Sequence, residues 1–147
     1  DAQLACTAGI LSHIGTLLML VKRTVSFKEM TRNLDVSKKP LEAAEKEHFG
    51  FSHAHLGAHL LAGWGFNEEI LQSVVYHHMP SQSGSAKLSA LACVHIAQAM
   101  YPLEKIRDVN VTIEDFDLET EWLCQIGADR VFPEILEEVR RVSKLWK

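Results

Sequence analysis

Residues 2–22 constrain the fold of this chain more than any other segment, because they are apolar on nearly every side of a helix. Leu4, Ala8, Leu11, Gly15 and Leu18 recur on one stripe, and Ile10, Ile14, Leu17 and Val21 form a second. A helix with a single apolar stripe lies along the edge of a core, whereas one that is apolar on most sides is expected to run through it. The most apolar part, residues 8–21, is short for a bilayer span and holds Ser12, His13 and Thr16. Lys22 and Arg23 follow the apolar run rather than precede it, the reverse of a signal peptide. No membrane is therefore expected among the partners, and a cytoplasmic location is expected.

Other helices follow from the pattern downstream. Residues 26–39 are polar and mixed, enough for one short helix at most. Pro40 suits the first turn of a helix whose early Glu42 and Glu45 favour the positive end of the helix dipole. Residues 52–64 carry an inward stripe of His53, Gly57, Leu60 or Leu61, and Trp64, with Gly63 and Gly65 loosening the end. Asn67 can cap the next helix, which carries Ile70, Val74 and one of His77 and His78 on a single face before Pro80 stops it.

After a Ser/Gly loop, residues 86–101 form a long helix with Leu88, Leu91, Val94, His95 and Gln98 on one broad face, closed by Pro102. Residues 109–113 alternate like a strand but have no partner run, so they are assigned an extended connection. A helix over residues 118–126 ends at Gly127. Pro133 opens the last helix, with Ile135, Val139, Val142 and Leu145 or Trp146 inward and a Glu137–Arg141 pair at i,i+4. The expectation is an all-α, compact bundle of about six to seven helices in one domain, residues 1–147.

At 147 residues and 47% hydrophobic, the chain can bury a core without disulfides or a structural metal. A net charge of −4 offers no basic face for nucleic acid. Cys6, Cys93 and Cys124 form no CxxC pair and fit a reducing compartment, each as a small core residue.

Eight histidines remain, and helical position sorts them. His13 lies within the first helix, His53 on an inward stripe, and the His77/His78 doublet at a helix end. Histidines converging from separate helices suit zinc, iron or nickel, and bundle interiors commonly host such sites. His55 and His59 have zinc-clip spacing but face away from His53 and lack a third ligand. His48 and His95 have no companions in the pattern.

Three runs in order, "AGILSHIGTLLML", "EHFGFSHAHLGAHLLAGWGFNEEILQSVVYHHMP" and "LACVHIAQAM", resemble the HDOD family, bacterial output domains related to the HD phosphohydrolases. The middle run is the specific one. It holds Gly50, His53 and Gly57 in G-x-x-H-x-x-x-G, then Trp64, an acidic helix start, and His77-His78-x-Pro80. Residues 2–101 carry the resemblance and residues 102–147 follow it loosely. Because the family's N-terminal helical half has no counterpart, the chain is expected to be the C-terminal portion of such a domain and a fragment of a longer protein.

The resemblance implies an HD-type helical bundle and a metal centre, and the departures from it shape the functional expectation. Active HD hydrolases place a metal-binding His-Asp doublet where this chain has Ser12 and His13, and a further aspartate where it has Gln98. A dinuclear centre needs carboxylates to bridge its ions and offset their charge. The expectation is therefore a non-catalytic signal-transduction output domain with no catalytic residues and no resident cofactor. His13, His53, His77 and His78 then form a remnant metal site packed as a polar network, and a single divalent ion is the alternative. Expected partners are a protein, other domains of a longer chain, or a second copy in a homodimer. The competing expectation is a metal-dependent phosphohydrolase with an altered ligand set, in which Glu45 or Glu47 would supply the missing carboxylate.

Overall fold

The first apolar run breaks near its middle. Helices α1 (Ala2–Leu11) and α2 (Ile14–Lys22) meet at Ser12 and His13. The Ser12 hydroxyl donates to the Gly9 carbonyl at 2.9 Å, a back-bond of the kind that bends helices. This computed structural model describes residues 1–37, 39–101 and 111–144. Among them the chain is all-helical, with α3 (Thr24–Ser37), α4 (Leu41–Phe49), α5 (His53–Gly63), α6 (Glu68–Tyr76), α7 (Ala90–Ala99), α8 (Thr120–Gln125) and α9 (Phe132–Ser143) after the first pair. Short 3-10 turns cover Pro80–Ser83 and Ile113–Asp115.

The first run is also less central than its two stripes imply. Ala8 and Gly15 are buried, but Ile10, Leu17 and Val21 on the second stripe are exposed. α1 packs on α6 and α7, and α2 packs on α5 and α3. The run Ala2–Lys22 is long and apolar enough, by length and composition, to cross a bilayer, because its helix begins six residues before the stretch weighed from sequence. Here it is kinked and carries a histidine at the kink.

Packing of α2 on α5 depends on two glycines. A Cβ on Gly15 would sit 2.0 Å from the His53 carbonyl oxygen and 2.9 Å from the Gly57 nitrogen. A Cβ on Gly57 would meet the Ile14 side chain at 3.1 Å. Only glycine at position 15 lets the two backbones approach this closely. The same contact sets the kink of the first run against the first turn of α5.

Other departures from the sequence reading have local causes. Residues 24–37 form a full helix, which buries Phe27 and Met30 with Met19 of α2 and half-buried Leu41, Phe49 and Leu56. Tertiary burial of that face overrides its polar composition. Trp64 is 61% exposed, because α5 ends at Gly63 and the tryptophan lies beyond its last turn. α7 begins after Ser89, so Leu88 falls outside it and is exposed. All three cysteines are exposed rather than buried.

The last helix buries Phe132 and Leu136, while Val142 is exposed. Its ion pairs join Glu137 to Arg140 and Glu138 to Arg141, each at i,i+3, in place of the expected Glu137–Arg141 pair. Phe132 and Leu136 join Leu91, Ala92, Ile96, Met100, Phe116, Trp122, Leu123 and Ala128 in the largest apolar core. A second cluster of Ala58, Leu61, Ile70 and Val74 lies between α5 and α6. Thr112 is extended before the turn at Ile113, whereas Pro102, Val109, Leu145 and Trp146 lie outside the described residues.

Candidate metal centre

Four histidines meet where the kink faces the first turn of α5 and the end of α6. One nitrogen from each of His13, His53, His77 and His78 lies within 4.8 Å of the others. His13 comes from the break in the first run, His53 is the first residue of α5, and His77 and His78 follow the last turn of α6. The sequence left open which of His77 and His78 points inward, and both do. His77 is fully buried and His78 half-buried. His55 and His59 are exposed on the opposite side of α5.

Three of the four rings are held from outside the cluster. His53 Nδ1 donates to Glu45 Oε2 at 2.6 Å, and the same oxygen accepts from the His53 backbone N–H at 2.8 Å. His77 Nδ1 donates to the Val74 carbonyl at 2.7 Å. Ser12 has given its only hydrogen to Gly9, so at 3.0 Å it accepts from His13 Nδ1. In a neutral imidazole only one nitrogen carries hydrogen. These three Nε2 atoms therefore keep their lone pairs, and those of His53 and His77 face each other at 3.4 Å. His78 Nε2 is 3.2 Å from His53 Nε2 and can donate to it.

The local sequence explains the arrangement. Gly50, with φ of 81°, ends α4 in the left-handed region and lets the chain turn sharply into α5. Ser52 then caps α5, so that Glu45 on α4 looks back at the first residue of α5. Glu45 is fully buried, and its Oε1 makes no hydrogen bond. Glu47, the other carboxylate considered from sequence, is exposed and pairs with Lys39. Glu42, not considered as a site residue, has little exposure and carries a charge felt by His78. Burial would raise its carboxyl, but hydrogen bonding and charge from Lys46 and a hydrogen bond from Ser52 outweigh that and hold it low.

A support behind His77 was also missed from sequence. The His77 carbonyl accepts from His95 Nδ1 and from Gln98 Nε2, both at 2.7 Å. His95 Nε2 accepts in turn from the Glu119 backbone N–H at 3.0 Å. Gln98 thus occupies the expected ligand position yet binds backbone. His95 ties the doublet to α7 and to the start of α8.

Burial lowers the basicity of His13, His77 and His78. Desolvation, then the charge of His78, pushes His77 down to about 3 from 6.5. Desolvation and the charge of His53 push His78 down to about 4. His13 is lowered by desolvation and by His53, against an opposing pull from Glu45, and His95 is lowered chiefly by burial. Neutral imidazole is the form that binds metal.

The HDOD domain family model matches residues 1–80, which include all four clustered histidines and stop at Pro80. This match is shorter than the run of resemblance over residues 2–101 and leaves out His95 and Gln98. No curated protein and no solved structure matches the chain.

Proposed function

The chain belongs to the HDOD domain family of HD-related output domains, and from that premise we propose that it is a regulatory, non-catalytic signalling domain acting through binding to protein. One observation carries this reading: no carboxylate shares the cluster of converging nitrogens among the described residues. Hydrolysis at a paired-metal centre needs carboxylate bridges and an activated water. Ser12 orients His13, and Gln98 holds a backbone carbonyl. Neither stands in for the expected aspartates.

The competing phosphohydrolase reading has one observation in its favour, since Glu45 is buried beside His53. Its engaged oxygen lies on the Nδ1 edge of the ring, away from the converging Nε2 atoms. That is the place of a group that orients a ligand rather than one that bridges ions. The deciding assay supplies the protein with manganese, iron, zinc or magnesium and offers a generic phosphodiester, nucleotides and cyclic dinucleotides. No turnover above the metal-only control is expected. Turnover that disappears in His53→Ala would reverse the assignment.

The reading includes self-association through the exposed stripe of Ile10, Leu17 and Val21, since apolar patches of this kind favour assembly. Light scattering should give a dimer that Leu17→Lys dissociates. A clean monomer at working concentration would remove this part of the proposal.

A further inference from the structure

We infer that His13, His53, His77 and His78 hold one divalent transition-metal ion of the imidazole-preferring class, zinc being the reference ion, with Glu45 as the positioning residue behind His53. The inference deepens the functional proposal and rests on its carboxylate-free reading of the centre. It replaces the expectation of a packed polar network with no ion.

With His53 as a neutral imidazole, the hydrogens of the cluster do not close without an ion. His13, His53 and His77 spend their Nδ1 hydrogens on Ser12, Glu45 and Val74. Three lone pairs then point inward, with His78 as the fourth ring. A hydrogen on His78 Nε2 satisfies His53, but it does not also separate the facing lone pairs of His53 and His77. A cation among the four nitrogens satisfies all of them together.

The spacing agrees. Zinc–nitrogen bonds of about 2.0–2.1 Å in a tetrahedron put ligand nitrogens about 3.4 Å apart. Two pairs, His53 with His77 and His53 with His78, stand at 3.4 and 3.2 Å, and all four nitrogens lie within 4.8 Å of one another, so a bound ion draws the remaining rings inward.

Charge points the same way. Glu45 is fully buried, and among the described residues it has one oxygen unpartnered and bonds His53 but no lysine or arginine. A buried carboxylate needs a nearby positive charge, and a metal on the far edge of the imidazole supplies it. Carboxylate–histidine–metal chains are a recurrent way of fixing ring orientation and raising ligand basicity. Four neutral imidazoles around a divalent ion would leave no carboxylate in direct contact with it, which separates this centre from the paired-ion hydrolytic arrangement.

The test uses the full chain, stripped with a chelator and titrated with cobalt(II) and then zinc near neutral pH. One ion per chain is expected, with the intense visible absorption of tetrahedral cobalt and displacement of cobalt by zinc. His13→Ala and His78→Ala, whose side chains reach solvent and whose fold should stay intact by circular dichroism, should abolish that spectrum. Glu45→Gln should weaken binding by about 10- to 100-fold. The exposed His55 and His59 are the rival site, and replacing both by alanine should change nothing.

The metal site is overturned if no tetrahedral cobalt spectrum appears, or if the His55/His59 variant loses the ion while His13→Ala and His78→Ala keep it. Unchanged affinity in Glu45→Gln overturns the positioning role. Failure of metal binding leaves the regulatory reading standing, whereas phosphodiester turnover by a loaded protein removes that reading and leaves the metal site.

Discussion

The two halves of the molecule are stabilised by different physics. Around α7, α8 and α9 the interior is apolar, built on Leu91, Ile96, Met100, Trp122, Leu123, Phe132 and Leu136. Around the junction of α2, α4, α5 and α6 the interior includes Ser12, Glu45, Ser52, His53 and His77, all buried. Apolar burial stabilises by area removed from water and changes little with protons or ions. A buried polar centre stabilises only when each hydrogen and charge finds its partner. The first half should respond chiefly to size changes, His95 at its edge with the doublet excepted, and the second to pH, metal and single hydrogen-bonding groups. The family match covers the polar centre and ends before the apolar core of α7 to α9.

The largest effect is expected where the polar half is held by backbone contact. Gly15→Ala places a methyl against the His53 carbonyl, a clash that backbone cannot relieve cheaply. Loss of about 3 kcal/mol or more, or failure to fold, is expected in urea denaturation. A variant as stable as the parent would show that α2 can lift off α5 at no cost.

Leu123→Ala in the apolar half should cost about 2–5 kcal/mol, because the side chain is fully enclosed. Measured near pH 8 and again near pH 5, that cost should be the same within about 0.5 kcal/mol, as for distant independent sites. A strongly pH-dependent cost would break the division between the halves.

Acid should act on the polar half. In chelated protein, His77 and His78 have folded pKa values of about 3 and about 4, below the usual 6.5. The unfolded chain therefore binds protons first as pH falls. Stability is full above 6.5, declines through the interval down to about 4 and then 3, and levels off below. Buried His77 alone contributes a slope of about 1.4 kcal/mol per pH unit. Half-exposed His78 adds less, because solvent screens its charge. His95, lowered by burial, acts in the same direction. Denaturation midpoints that stay flat across this range would refute the picture of buried neutral rings.

The smallest effect is expected at Trp64. Its ring is 61% exposed, and Trp64→Ala should change stability by less than about 0.5 kcal/mol. A large loss would place the indole in an interface that only an assembly provides.

Much of the fold was legible because helices announce themselves locally. Asn67 caps α6 and accepts from the Ile70 N–H at 3.0 Å, as its position before Glu68 and Glu69 implies. Gly127, with φ of 73°, follows the end of α8 as expected. His53, Gly57 and Leu61 lie on the buried face that their spacing marks, and Ile70, Val74 and His77 on another. Trp64 was misplaced because periodicity does not say where a helix stops being periodic. The helix α3 is longer than the short helix expected there, because its stability comes from Phe27 and Met30 meeting other helices, not from its composition.

By itself, then, the sequence determined the all-helical class, most of the breaks between helices and the family resemblance, and it singled out the four histidines that the fold brings together. Those properties are written in spacing along one chain, where 3.6-residue periodicity and capping residues act over a few positions. Tertiary structure alone decided that both His77 and His78 face the cluster, that Glu45 turns inward while Glu47 does not, and that His95 and Gln98 brace the His77 carbonyl. Each of these depends on the meeting of helices distant in sequence, through the close crossing of Gly15 and Gly57 and the sharp turn at Gly50. Once those backbones were fixed, the hydrogen-bond partners of each ring were fixed too. The kinked first run, read from its two stripes as a central helix, proved to be the element that delivers His13 to the centre and leaves Leu17 and Val21 in solvent.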